Sequence, residues 1–308
     1  MNNDTNRRSF LKTSATAIAT TAIAGSATAS LFAGERPAVK LKKAVKFGMV
    51  QGKQSILEKF RMLKDIGYDG VEFSAPNGYD TKEVLTARDK TDLPIHGIVD
   101  SVHWKNTLSD PDPATRQRGL DGLKSAIKTA KEYGATSVLL VPAVVNKKVA
   151  YHEAYERSQA EIKKAIPLAE ENGIRILFEN VWNNFLLSPV EAARYIDEFE
   201  SPVVGAYFDV GNVVRYGWPE HWIKALGKRI GKLDIKEYSR KKQMDEGPRK
   251  GFDVKIGDGD CDWPAVLKAL EEVGFSGWAT AEVNGGGKDR LQDIYNRMSQ
   301  AFGLKKGK

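Results

Sequence analysis

A single α/β domain folded as a (β/α)8 TIM barrel is the fold class this sequence predicts, on three observations. Short apolar runs alternate with longer amphipathic stretches from residue 46 onward, and the alternation repeats eight times. No linker or compositional break divides that region into two. After the first run, Gly48-Met49-Val50-Gln51-Gly52 holds too few glycines for a dinucleotide-binding fingerprint, which argues against an open nucleotide-binding sheet. Strict alternation of eight strand–helix units suits a closed barrel, whose usual length is about 250 residues.

The N-terminus is read apart from the fold. Residues 6–12, NRRSFLK, set the paired Arg7 and Arg8 before a modestly apolar run to Ala24, and Ala27-Thr28-Ala29 offers small residues for cleavage. The segment resembles a twin-arginine export signal, which implies the twin-arginine export machinery as a partner and a periplasmic location. Its apolar run is too short, and too diluted by Thr, Ser and Gly, for a membrane anchor. Residues 1–29 are assigned to this signal, 30–44 to a linker and 45–308 to the barrel.

Strands are expected at 46–50, 70–73, 94–99, 137–141, 174–178, 203–208, 230–235 and 277–281, short apolar runs suited to burial on both faces. Helices are expected at 55–66, 113–133, 151–172, 188–200, 262–273 and 288–302, where apolar residues recur at three- and four-residue spacing, as Leu57, Phe60 and Leu63 do. Gly67, Gly134, Gly173 and Gly274 fall where a helix must end before the next strand, as a left-handed cap requires. The longest irregular stretch, 238–260, follows the seventh strand and is expected to lie over the mouth as a lid. Gly285-Gly286-Gly287 follow the last strand, where barrels often bind phosphate; a loop hinge is the plainer reading.

Composition narrows the function. A 308-residue chain with 41% hydrophobic residues supports one large core. Of the net charge of +7, Asp4, Arg7, Arg8 and Lys12 supply +2, which leaves +5 scattered over the rest and gives nucleic-acid binding no support. Cys261 is the one cysteine, so an internal disulfide and a thiolate metal site are both excluded.

Four consecutive apolar runs deliver an acid at or near their C-terminal end: Glu179, Asp209, Asp234 and Glu282. In a barrel those ends surround one point at the top of the axis. Any one of these acids can be explained as a helix cap. Four in successive strands point instead to a shared cation or substrate. Oxygen ligands without a thiolate favour Mn2+ or Mg2+ over Zn2+ or Co2+.

The motifs that surround these acids carry a family resemblance over nearly all of the barrel. They are Gly67-Tyr68-Asp69-Gly70-Val71-Glu72-Phe73, Phe178-Glu179-Asn180, Phe208-Asp209-Val210-Gly211-Asn212, Leu233-Asp234-Ile235-Lys236-Glu237, Gly257-Asp258-Gly259 before Trp263-Pro264, and Ala281-Glu282-Val283. With them the chain resembles the xylose isomerase-like barrels, which include sugar phosphate isomerases and epimerases, ketose 3-epimerases and endonuclease IV. The resemblance implies a metal held by Glu179, Asp209, Asp234 and Glu282, with Glu179 and Glu282 moving a proton on a bound sugar. Proton abstraction next to a carbonyl makes an enediolate, and a cation stabilises its oxygen. Two departures stand out: Asp234 occupies the strand-seven position that is usually histidine, and Asn212 stands where epimerase members often carry a histidine.

Expected substrate contacts are Glu72 at the end of strand two, His103 beside Trp104, Trp182 as an aromatic face, and Asn212, Lys236 and Arg240. The function expected is a metal-dependent sugar isomerase or epimerase acting on a small-molecule sugar or glycoside. A lyase or hydrolase on an oxidised (3-keto) glycoside shares the same first step. An endonuclease IV-like activity calls for a histidine-rich multi-zinc site, whereas His96, His103, His152 and His221 all lie away from the ends of strands six to eight. A non-catalytic sugar-binding module is the remaining alternative. A closed homo-oligomer, common among soluble enzymes, is compatible with any of these.

Overall fold

The computed structural model describes residues 39–303; the export signal and residues 30–38 of the expected linker lie outside the described residues. Eight parallel strands close into a barrel in chain order: β1 (Leu41–Lys46), β2 (Gly70–Ala75), β3 (Ile95–Asp100), β4 (Ser137–Leu140), β5 (Arg175–Glu179), β6 (Val204–Asp209), β7 (Ile230–Ile235) and β8 (Gly277–Ala281). β1 pairs with β8 from Leu41↔Gly277 to Val45↔Ala281 and completes the ring. The helices are α1 (Ile56–Ile66), α2 (Thr81–Thr91), α3 (Pro113–Tyr133), α4 (Tyr151–Lys163), α5 (Ile166–Asn172), α6 (Pro189–Asp197), α7 (Pro219–Leu226), α8 (Arg240–Glu246), α9 (Trp263–Glu272) and α10 (Lys288–Ala301). No helix among the described residues is long and apolar enough to cross a membrane.

Local chemistry explains the boundaries. Ser55 opens α1 with a reciprocal capping box to Glu58, and Asp80, Asp112, Ser188 and Asp262 cap α2, α3, α6 and α9 through side-chain oxygens. Gly67, Gly134, Gly173 and Gly274 all take positive φ at helix ends, as expected.

Three features differ from the sequence reading. The first strand runs from Leu41 to Lys46 instead of 46–50, so it begins inside the stretch read as linker; residues Phe47–Met49 form a 3-10 turn. Lysines had masked its apolar pattern, yet Lys43 is buried, its ammonium bonded to Ser299 at 2.6 Å and set over the Tyr295 ring. The helix expected over 151–172 is two helices, because Pro167 cannot continue the hydrogen-bond ladder of α4 and instead opens α5. Finally, the 238–260 stretch contains α8 and a 3-10 turn (Pro248–Phe252), and is tied down at its base. Glu237 accepts hydrogen bonds from the N–H groups of Tyr238, Gly257 and Cys261 and from the Trp263 indole at 2.8–3.2 Å, which fixes the loop as built structure.

The main apolar core lies between strands and helices. A smaller cluster, Leu139, Leu177 and Tyr207 with Val99, lies inside the barrel. Beside it the interior is polar. Tyr207 donates to Glu72 Oε1 at 2.9 Å and accepts from Thr280, whose oxygen accepts from His96 Nε2 at 3.1 Å. Lys46 supplies Glu72 Oε2 at 3.0 Å, and Lys232 donates to the His96 carbonyl. Gly97 is required here, since a Cβ would stand 2.6 Å from Glu72 Oε1.

Candidate active site

The ladder brings the acids level. Asp209 is the register partner of Asp234, which pairs in turn with Thr280, and the Glu282 N–H continues the β7–β8 ladder to the Ile235 carbonyl at 3.1 Å. Glu179 ends β5, Asp209 ends β6, Asp234 is the penultimate residue of β7, and Glu282 follows β8 directly. Ligand-type oxygens of all four lie within 4.8 Å of one another. An amide clasp orients them. Asn180 bonds Asp209 twice through the backbone, Asn212 donates to the Asn180 carbonyl at 2.9 Å, and the Asn212 N–H holds Asp209 Oδ1 at 2.7 Å.

Two ammonium groups face this ring. Lys46 lies 3.0 Å from Asp234 and 3.8 Å from Glu282, and Lys236 lies 3.0 Å from Asp209 and 2.6 Å from Glu282. Burial favours the neutral amine of each lysine, but the facing carboxylates outweigh it and hold both charged. Glu179 contacts neither ammonium. Its pKa is pushed up to about 8 by burial, aided by the nearby Glu282. For Glu282, burial acts upward, but Lys46 and Lys236 prevail and bring the value below the ordinary one. The two glutamates are thus held in opposite electrostatic settings.

The residues fit a divalent cation. Lys236 stands 3.0 Å from Asp209 Oδ2 and 2.6 Å from Glu282 Oε2, and Lys46 stands 3.0 Å from Asp234 Oδ2, so three oxygens of the ring already face an ammonium. Glu179 Oε1 and Asp234 Oδ1 are buried with neither a hydrogen-bond donor nor an ammonium beside them among the described residues. Orphaned oxygens are unfavourable unless something electropositive meets them. An all-oxygen set suits a hard cation.

The other expected site residues take varied places. His103 is buried, and its Nδ1 accepts the Val141 N–H at 3.1 Å, so Nε2 carries the proton. Burial, then the Lys46 charge, lowers its pKa to about 4, so a neutral imidazole faces the ring. Trp182 donates to the Asn212 carbonyl at 2.9 Å and packs on Phe252. Glu72 corrects the reading: it is mid-strand in a β2 that runs on to Ala75, is fully buried, and braces the barrel interior instead of reaching a substrate hydroxyl. Arg240 is engaged elsewhere too, its guanidinium bonded to the Val214 and Gly217 carbonyls at 2.8 and 2.7 Å, where it ties two mouth loops together. Lys46, Asn180 and Glu237 received no role from sequence. Placing the first strand five residues earlier would have set Lys46 at a strand end, beside the acids.

From the ring a cleft of about 1280 Å³ opens outward, with Lys236 and Glu282 at its inner end and Phe252, Asn284 and Arg290 farther out.

A closed parallel barrel with a four-carboxylate ring at its C-terminal mouth defines a barrel with a cation-type acidic centre. The chain belongs to the xylose isomerase-like TIM barrel family, whose sequence model matches residues 60–300. It is 24% identical over 232 residues to L-ribulose-5-phosphate 3-epimerase UlaE of Escherichia coli O1:K1 / APEC, covering 72% of this chain and 79% of that one. Among solved structures it is similar to the 3-keto-D-glucoside 4-epimerase YcjR from E. coli, with TM-score 0.69, 18% identity and coverage of 85% of this chain and 99% of that one. It is also similar to an IOLI protein with a bound zinc atom, at TM-score 0.71 and 17% identity, covering 85% and 98%. At these identities the solved structures speak for the fold.

Proposed function

We propose that this protein is a divalent-cation-dependent sugar isomerase or epimerase that acts through carboxylate-mediated proton transfer. The observation that carries this reading is the ring itself: Glu179 and Glu282, from non-neighbouring strands, converge with Asp209 and Asp234 on one point, and Glu179 Oε1 and Asp234 Oδ1 are left without a donor. The epimerases among its relatives support the same reading.

Glu179, Asp209, Asp234 and Glu282 would hold the cation, Mn2+ or Mg2+ by the donor chemistry. When bound, it supplies electrostatic stabilisation for a developing oxyanion. Glu282, flanked by Lys46 and Lys236, takes the proton from the carbon beside the carbonyl, and Glu179 returns one from the other side. The neutral His103, with its proton on Nε2, donates a hydrogen bond to a sugar oxygen. Trp182 and Phe252 offer apolar faces to a ring.

Proton NMR of keto sugars in deuterated water, with Mg2+-loaded protein, tests this. Loss of one C–H signal that stops on chelation is expected; exchange that continues unchanged in excess chelator would overturn the cation's role. The length of the cleft favours a second reading, a lyase or hydrolase on a 3-keto glycoside that begins with the same proton abstraction. Product mass separates them: an isomer keeps the substrate's mass, whereas cleavage yields two fragments.

The Arg7-Arg8 pair supports twin-arginine export and work in the periplasm. Replacing both by Lys should retain the protein in the cytoplasm, and undiminished export would remove this assignment.

A further inference from the structure

We infer that the cleft beside the carboxylate ring takes an uncharged substrate longer than one sugar ring, a disaccharide or other glycoside, and rejects sugar phosphates. This deepens the sugar reading above and rests on it.

Size is the first observation. At about 1280 Å³ the cleft exceeds the usual range for small-ligand pockets, roughly 300–1,000 Å³. It runs from Lys236 and Glu282 past Phe252 and Asn284 to Asp289 and Arg290. A sugar ring at the acids leaves the outer part to a second group, with the half-buried Phe252 as an apolar face for it.

The second observation is that the loop after strand eight, part of the customary phosphate position of a barrel, is engaged in packing. Barrels often bind phosphate with the loops after strands seven and eight and a nearby helix N-terminus. Here the Gly286 N–H already donates to the Met49 carbonyl at 3.0 Å, and the Gln51 N–H returns a bond of 3.0 Å to the Gly286 carbonyl. A Cβ at Gly285 would stand 2.1 Å from that Met49 oxygen, so the glycines serve close packing against the turn after β1. Asp289 then sets a carboxylate in the first turn of α10, where the positive end of the helix would otherwise attract an anion.

Charge along the wall is the third. Arg290 at 2.9 Å, Arg297 at 3.1 Å and Lys255 at 3.6 Å share Asp293, and Lys236 is held by Asp209 and Glu282. Asp289 is exposed on the cleft and has no cation of its own. The cleft is lined by more carboxylates than cations, so a phosphate dianion would meet repulsion along this wall.

The test measures binding and exchange separately on the Mg2+-loaded protein with three probes: lactulose, D-fructose and D-fructose 6-phosphate. Calorimetric titration should show lactulose binding at least about tenfold tighter than fructose 6-phosphate, and tighter than fructose, the scale that charge and pocket complementarity set. Asp289→Arg should narrow the gap between lactulose and the phosphate. Fructose 6-phosphate binding as tightly as lactulose, or no lactulose binding at all, would overturn the inference. Equal affinity for fructose and lactulose would remove its length component, and a gap unmoved by Asp289→Arg would remove its electrostatic cause. Deuterium wash-in followed by NMR reports on the chemistry alone: bound lactulose without exchange counts against enolisation and leaves the binding order intact.

Discussion

The mouth of the barrel and the space beneath it hold the same kinds of charged side chain under opposite rules. Inside, Glu72 has a donor for each oxygen, and His96, Thr280 and Tyr207 pass hydrogen bonds in one direction towards it. At the mouth, two lysines face the ring, yet Glu179 Oε1 and Asp234 Oδ1 are left without a donor among the described residues. A buried carboxylate with a donor on each oxygen braces a fold, whereas one left without them is held in readiness for a ligand. Lys46 belongs to both regions, bonded to Glu72 on one side and facing Asp234 on the other.

Substitutions can break that contrast. The largest effect is expected from Glu282→Gln, which removes a proton-transfer group and should lower C–H exchange by about 10²–10⁴-fold. Its thermal midpoint should stay near that of the parent, and full retained activity would remove the assignment. Glu72→Ala should act the other way, through stability. It leaves the buried Tyr207 hydroxyl without its acceptor and takes one of three carboxylates from Lys46, a loss of about 1–3 kcal/mol measurable by urea denaturation.

A pH series sharpens the comparison from outside both regions. Asp100 ends β3 and is buried, with one hydrogen bond from the Val102 N–H at 3.1 Å, and burial pushes its pKa up to about 7. The folded state thus binds the proton more tightly than the unfolded chain. Its stabilising contribution is complete below about pH 4 and is lost as pH rises towards 7, with a slope of at most about 1.4 kcal/mol per pH unit. Asp100→Asn should flatten this part of the stability profile and be more stable than the parent at pH 8. An unchanged difference between the two proteins from pH 4 to pH 8 would refute it.

The smallest effect is expected from Glu179→Gln in chelator. Removing a buried carboxylate that no lysine contacts should raise the stability of the cation-free protein by about 0.5–2 kcal/mol. The same change should abolish the rise in thermal midpoint that Mg2+ gives the parent. Destabilisation by Glu179→Gln in chelator would place Glu179 with the interior network.

Much of this was legible in the sequence because local pattern and final environment agree. Apolar runs such as 174–178 and 277–281 read as strands, and the acids that end them stand at the mouth. What escaped depends on contacts distant in the chain. Lys43 in β1 is tolerated because Ser299 and Tyr295, over 250 residues away, meet its ammonium. Glu72 could not be told from a substrate ligand until Tyr207 and Lys46 were seen to satisfy it. The α2 helix was not expected because only Val84 and Ala87 are buried along it, which leaves almost no periodic signal.

The pairing of β1 with β8 bears on how the chain is made. The first strand emerges from the ribosome long before its second neighbour, and until Gly277–Ala281 arrives it is an open edge able to pair with other chains. Its sequence, LKKAVK, arms that edge with Lys42, Lys43 and Lys46. Charge of this kind opposes stray association during synthesis. Lys43 is covered once α10 docks, and Lys46 then meets Glu282. The same side chains guard the unfinished chain and afterwards become cations of the finished barrel.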